Sequence, residues 1–362
     1  MTWTFSPARS GMTTLAAEWD DLNRRLCRAH PFLDTAFVGP LVDCFARADD
    51  TLAVYRGPGG VEAMLLLQAP RRGFCSTFLP SQAQLGPTLL PGRASLGELV
   101  SARWSTVAVD LLCQDPEYSP LPTLPPGPTH ELTPHVTTVA ASLVGTFDEY
   151  WQQRPRKLRE QMRRSIRKLE QNGLALRLDA VVEPEQVRAA VDRYGLLESR
   201  GWKGQAGTAI HPDNIQGRFY REVLAGFAAR GQGTVYEMYF GGELAASELQ
   251  IANDFMVIGL KTTYDEALAA AYSPGRLVHY LSLERRFADQ RHRVLEYYTN
   301  ATPDTTRWST TQRPITHHRI YRYAALSSLT RGYRRLKQRL STLRRAGPAE
   351  SPPPQPSADS DG

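Results

Sequence analysis

Three charged side chains on three consecutive strand-like segments could do proton chemistry: Glu237, Glu248 and Lys261. They lie in Thr234–Phe240, Glu243–Ala252 and Phe255–Thr262, which are separated by Gly241-Gly242 and Asn253-Asp254. A Gly-Gly pair tolerates positive φ at both central positions of a two-residue hairpin, and Asn-Asp is a turn pair. Simple turns set Phe240 opposite Glu243 and Ala252 opposite Phe255. Glu237 and Lys261 then flank Ala246, and Glu248 lies diagonally within reach. On that register Tyr236, Met238, Phe240, Ala245, Leu249, Ile251, Met256, Ile258 and Leu260 form a buried face. Glu237, Glu248, Gln250, Gly259 and Lys261 form the other. Two carboxylates and an amine on one patch of sheet can accept and relay a proton. A solvated face laced with weak ion pairs has the same pattern. A covering helix would decide for a site, because buried charges need partners.

A second group follows the third strand. Ser273-Pro274-Gly275-Arg276 opens a helix with a favoured N-cap and a favoured first residue. Backbone N–H groups at a positive dipole end, a glycine permitting close approach and an arginine suit a phosphate or pyrophosphate, although an ordinary capped helix reads the same way. Upstream, Glu198-Ser-Arg-Gly-Trp-Lys-Gly204 is a glycine-rich, charged loop around Trp202 and Lys203, of the sort that lines sites. His317 and His318 are adjacent and so point two ways, which argues against chelation by the pair.

The elements that must position these groups follow from periodicity. Phe147 to Asn172 reads as one long helix stopped by Gly173. It carries Arg154, Arg156, Lys157, Arg159, Arg163, Arg164, Arg167 and Lys168 against Glu160 and Glu170, so an anionic partner is as natural as a solvated face. Leu15 to Asp49 reads as amphipathic helix broken at His30-Pro31. Thr51–Tyr55 and Val61–Leu67 form a further hairpin, Arg71 to Arg93 reads as loop, and the proline-rich Asp115–Pro134 as a linker before a strand over His135–Leu143. Arg331–Arg345 is a basic amphipathic segment suited to an anionic membrane surface or RNA, and Gly347–Gly362 has the composition of a disordered tail. A chain of 362 residues is long for one core and predicts two domains. Cys27, Cys44, Cys75 and Cys113 show no C-x-x-C spacing, so neither zinc nor a disulfide framework is expected, and no metal is implied. No apolar run suits a membrane span, and Met1-Thr-Trp-Thr-Phe lacks signal-peptide character. A cytoplasmic setting is expected, at the inner membrane face if the basic segments bind lipid.

Several stretches together carry a family resemblance. Glu198–Gly204, Gly242-Glu-Leu-Ala-Ala246, Lys261-Thr-Thr-Tyr-Asp-Glu266, Tyr272-Ser-Pro-Gly275 and the basic helix ending in Leu169-Glu-Gln-Asn-Gly173 resemble GNAT-superfamily acyltransferases of the CelD/BioF2-like group, relatives of the FemAB aminoacyltransferases. The similarity spans about Phe147 to Tyr298, with a weaker part at Trp19–Phe45. It implies an α/β (α+β) fold of two tandem GNAT-like halves, 1–134 and 135–325, each a mainly antiparallel sheet flanked by helices, followed by a basic helix over 326–346 and a tail. It implies an acyl-CoA-dependent N-acyltransferase with acetyl-CoA or a longer acyl-CoA as donor, a small-molecule amine as acceptor, and a link to cellulose or exopolysaccharide production. Ser273, Gly275 and Arg276, with Gly259 and Tyr272, would hold the CoA; Trp202, Lys203, Arg163 and Arg167 would meet substrate. Glu248 is the expected base, with Glu237 the alternative, Lys261 tuning the carboxylate, and Tyr264 or Tyr272 protonating the thiolate. Two other readings stand beside it: aminoacyl-tRNA as donor, held by the basic helices, and a non-catalytic accessory protein at a synthase or membrane surface. Nothing points to DNA.

Overall fold

The computed structural model describes residues 2–330 apart from 92–95, 103–105, 120, 122–126, 202–203, 205–206 and 208. Trp202, Lys203, the basic segment after 330 and the tail lie outside the described residues.

The strands run β1 (Thr2–Pro7), β2 (Thr51–Gly57), β3 (Gly60–Arg71), β4 (Phe74–Thr77), β5 (Thr88–Leu89), β6 (Ala108–Gln114), β7 (His130–Ser142), β8 (Leu176–Val181), β9 (Gly233–Phe240), β10 (Glu243–Ala252), β11 (Met256–Tyr264), β12 (Val294–Glu296) and β13 (Thr311–Tyr321). All join one sheet, ordered β1-β2-β3-β4-β6-β13-β7-β12-β11-β10-β9-β8, with β5 paired to β3. The order contains a repeat. β1 to β4 pair antiparallel and β4 pairs β6 in parallel. β8 to β11 pair antiparallel and β11 pairs β12 in parallel. The halves meet through exchanged strands: β7, which follows β6 in the chain, pairs β12, while β13, which follows β12, pairs β6. β7 and β13 pair with each other along the seam. This is a mixed α/β fold of two tandem GNAT-like halves.

Helices cover both faces of the second half. On one face lie Arg156–Gln171 and Pro274–Asp289, burying Leu158, Met162, Leu277 and Val278 against Tyr236, Met238 and Phe240. On the other, Pro184–Arg200 and Ile215–Ala228 join the N-terminal helices Ala16–Cys27 and Thr35–Phe45 in the largest core, which holds Val235, Leu249, Ile251 and Ile258.

Several elements differ from their sequence expectation. The basic helix is two: Phe147–Gln152, opened by a Thr146–Glu149 capping box, and Arg156–Gln171. Pro155 separates them, since it lacks an N–H and clashes with the preceding turn. β4 and β5 form within Arg71–Arg93, read as loop, and β7 starts at His130, inside the expected linker.

The largest correction concerns register. Gly241 and Gly242 take φ of 58° and 97°, as the hairpin requires, and Glu243 faces Phe240. A bulge between Leu244 and Ala246 then adds a residue to β10, so Glu237 pairs Ser247 and Glu248 pairs Tyr236. A second bulge at Leu249/Gln250 sets Leu249 opposite Lys261. Glu237 and Glu248 therefore lie on opposite faces, because one inserted residue reverses side-chain parity. The expected single apolar face is likewise divided: Tyr236, Met238 and Phe240 on one side, Leu249, Ile251 and Ile258 on the other.

Candidate active site

β11 and β12 pair only from Met256–Val294 to Ile258–Glu296. Beyond that point β11 runs on to Tyr264 while β12 ends, and the strands part. The gap opens into a cavity of about 560 Å³. Gly259 to Thr262 form one wall, Leu295, Tyr297 and Thr299 another, and Ser273 to Arg276 at the start of the Pro274 helix a third. A strand edge without a strand partner can bind a ligand's amides by β-type hydrogen bonds.

The buried polar chemistry of this cavity is built on Glu248, only 2% exposed. Its carboxylate accepts from Ser282 Oγ at 2.8 Å and from Gln250 Nε2 at 2.9 Å. His279 Nδ1 lies 3.3 Å from Oε1, and His279 Nε2 lies 2.8 Å from the Tyr297 hydroxyl. Burial pushes the Glu248 carboxyl up, but the His279 ring, Gln250 and Ser282 outweigh it and hold the group below its ordinary value. Burial pushes Tyr297 well above the ordinary phenol value, with Tyr150 and Glu248 acting in the same direction. His279 stacks edge-on against Trp308 at 4.8 Å, which fixes its ring plane. A Cβ at Gly259 would sit 3.8 Å from Glu248 Oε1, so the glycine leaves the carboxylate open to the gap.

The other sequence candidates are dispersed. Glu237, on the opposite face, is gripped bidentately by Arg193 at 2.8 Å and accepts from Tyr239. Lys261 holds its ammonium 5.7 Å from the Tyr220 ring centroid on the Ile215 helix, so Glu248 is held by His279, Gln250 and Ser282 rather than by this lysine. Tyr264 lines the cavity and packs on Gly275, where a Cβ would meet its ring at 2.6 Å. Tyr272 is buried, receives Asn172 Nδ2 at 2.7 Å, and is absent from the cavity wall. Arg163 and Arg167 are exposed on the basic helix and do not line the cavity.

The Ser273 turn lies on the wall, as expected, but not as an ordinary cap. Ser273 takes φ of 51°, and its hydroxyl accepts from Gln161 Nε2 at 2.9 Å instead of capping. The Arg276 and Leu277 N–H groups both bond to the Ser273 carbonyl. The Arg276 guanidinium reaches Gln161 at 3.1 Å and Asp304 at 2.7 Å.

His279, Ser282, Tyr297 and Trp308 were not identified from sequence. His279 and Ser282 sit one turn and more inside a helix whose start was noticed only for its phosphate chemistry. The signal available was a histidine just over one turn inside the helix that follows the strands carrying Glu248.

The parted strands, a helix start on the gap and a carboxylate–imidazole pair at its floor all lie in the part of the chain that marks the protein as an acyltransferase. Residues 156–304 match the family model for an acetyltransferase (GNAT) domain. Among solved structures the chain is similar to FemX (TM-score 0.55, 9% identity, 87% of this chain and 98% of that one). It is also similar to the C-terminal domain of a putative lysylphosphatidylglycerol synthetase from Agrobacterium fabrum (TM-score 0.54, 10% identity, 87% and 94%). At these identities the likeness is one of fold. No curated protein matches the sequence. No helix among the described residues is long and apolar enough to cross a membrane.

Proposed function

We propose that the protein is an acyl-CoA-dependent N-acyltransferase acting on an amine acceptor, of the CelD/BioF2-like kind and tied to exopolysaccharide production. The observation that carries the chemistry is the chain Glu248–His279–Tyr297 at the floor of the gap between β11 and β12. An amine must lose a proton as it attacks a thioester carbonyl. A carboxylate held below its ordinary pKa is a poor acceptor, whereas the imidazole it holds lines the gap and can take the proton. Glu248 therefore serves as a positioning residue: it takes the Nδ1–H of His279 and presents Nε2 as base.

The step balances as follows. The amine nitrogen bonds to the thioester carbon while its proton passes to His279 Nε2. The C–S bond breaks, and the departing thiolate takes the Tyr297 proton, which that phenol still carries at neutral pH. The proton on His279 then returns to Tyr297 across their 2.8 Å contact. The Gly259–Lys261 edge would bind the amides of the donor's arm, and the Ser273–Arg276 turn its phosphates. For that, Arg276 exchanges Asp304 for phosphate oxygens.

Calorimetric titration with CoA, acetyl-CoA and a longer acyl-CoA tests this. Saturable binding that is lost in Gly259→Trp, whose indole would fill the gap, supports the reading; no binding by any of the three removes it.

A second reading has a specific observation behind it. Arg163, Arg164, Arg167 and Lys168 are exposed on the helix that touches the cavity rim through Gln161–Ser273. Such a face could hold the phosphates of an aminoacyl-tRNA donor. Binding would then weaken steeply with salt, which a titration at two ionic strengths would reveal.

A further inference from the structure

Far apart in sequence, Cys113 on β6, His317 on β13 and His135 on β7 come together on three neighbouring strands. One ligand atom from each lies within 4.8 Å of the other two. We propose that these residues form a cation site of the cysteine–histidine–histidine type, selective for zinc or a similar borderline divalent ion.

Four observations converge on it. First, the donor set is chemically specific: one thiolate and two imidazoles suit zinc and disfavour calcium or magnesium. Second, the register breaks where the ligands lie. β13 loses register with β6 between Thr316 and His318, and with β7 between Ile315 and Thr316. The interruptions bring Cys113 and His135 alongside His317, and bulges are a known device for re-aiming side chains. Third, Cys113 holds φ of 49°, a left-handed conformation costly for a non-glycine residue and retained where something else is gained. Fourth, the two histidine rings lie 4.3 Å apart, centroid to centroid, and the Cys113 N–H donates to His317 Nδ1 at 2.9 Å. That bond engages the Nδ1 lone pair of His317 with the Cys113 backbone, so ligation through Nδ1 requires it to break.

A cation would take this lone pair in place of the N–H, and the Cys113 thiol would give up its proton to solvent as Sγ is ligated. Cys113 is buried and His135 exposed, so the site has a dry side and a wet side, and water would complete the coordination from the latter. The adjacent His318 is not involved: it turns the other way to His130, 3.0 Å from it. A filled site would tie β6 of the first half to both exchanged strands, so its effect would be to clamp the seam.

Cobalt(II) is the probe, because thiolate ligation gives it a charge-transfer band. Full-length protein, purified reduced and metal-free, should bind one equivalent with that band, and zinc should displace it. His135→Ala, at an exposed position, should weaken binding at least tenfold while leaving the circular dichroism unchanged, and Cys113→Ser should abolish the band. Failure of the folded wild type to take up cobalt would overturn the site. So would uptake without the thiolate band, or a band indifferent to His135→Ala, since the buried thiols of Cys27, Cys44 and Cys75 would then be its source.

Discussion

The two halves of the molecule contain the same parting of parallel strands and treat it oppositely. In the second half β11 and β12 separate after Ile258–Glu296, and the gap becomes a cavity of about 560 Å³. In the first half β4 and β6 separate after Ser76–Asp110, but the gap is plugged. The Leu112 N–H donates to Thr77 Oγ1 at 2.8 Å. Gly86 presses so close that a Cβ would stand 2.3 Å from the Leu112 carbonyl oxygen. The space remaining beside Gly86 and Cys113 is about 10 Å³. The polar groups beyond it are sealed. Arg313 binds Asp115 at 2.6 and 2.8 Å and Glu296 at 2.9 Å, and Tyr298 bridges Asp115 to His30, each at 2.7 Å. Similar charges thus do different work: on one side a dry network joins the halves, on the other a buried carboxylate holds an imidazole against an open gap.

The sharpest way to break this contrast is on the open side. His279→Ala should lower turnover on the order of 10²- to 10⁴-fold with little change in thermal unfolding, as loss of a general base does. Glu248→Gln should follow with a loss of about 10²-fold or more and a shifted pH profile, since the ring loses its tautomeric anchor. Unchanged turnover in either would remove that residue from the chemistry. On the sealed side the loss should be of stability. Arg313→Met strands Asp115 and Glu296 without their cation and should cost about 3–5 kcal/mol in denaturant unfolding, far more than it changes turnover per folded molecule.

Acid should distinguish the two sides as well. Burial lowers the His30 pKa to about 4, so the folded protein resists a proton that the unfolded chain takes up near 6.5. Stability from this group is complete above that value and falls as pH drops towards 4, by roughly 3 kcal/mol at most. His30→Gln should flatten that part of the unfolding midpoint against pH; an unaltered profile would place the acid sensitivity elsewhere. The smallest effect should come from Arg276→Ala, which breaks a partly exposed pair with Asp304 and should cost under about 1 kcal/mol. Its consequence should be weaker donor binding, visible by calorimetry.

Local rules made much of this visible in the sequence. Gly241-Gly242 set a hairpin, Pro274 and Gly275 opened a helix, and Glu248 was one of the charges carried by the hairpin strands. Parity did not survive, because a bulge at Leu244/Ala246 carries no local signature yet moves every later side chain across the sheet. His279 escaped because its meaning rests on a partner 31 residues away, and Cys113 with His317 because theirs spans 204. Long-range pairings of this kind are decided by topology, and nothing in a hairpin foretells that β7 and β13 will change places.

That exchange has a bearing on how the chain is made. Gln114 of β6 waits for Thr316 of β13, its partner 202 positions later. At about 5–20 residues per second, synthesis leaves the first half with a bare sheet edge for roughly 10–40 s. The nascent first half would spend that time as a template for stray strands, so the protein's yield in a cell should depend on whatever shelters that edge until the last strand emerges.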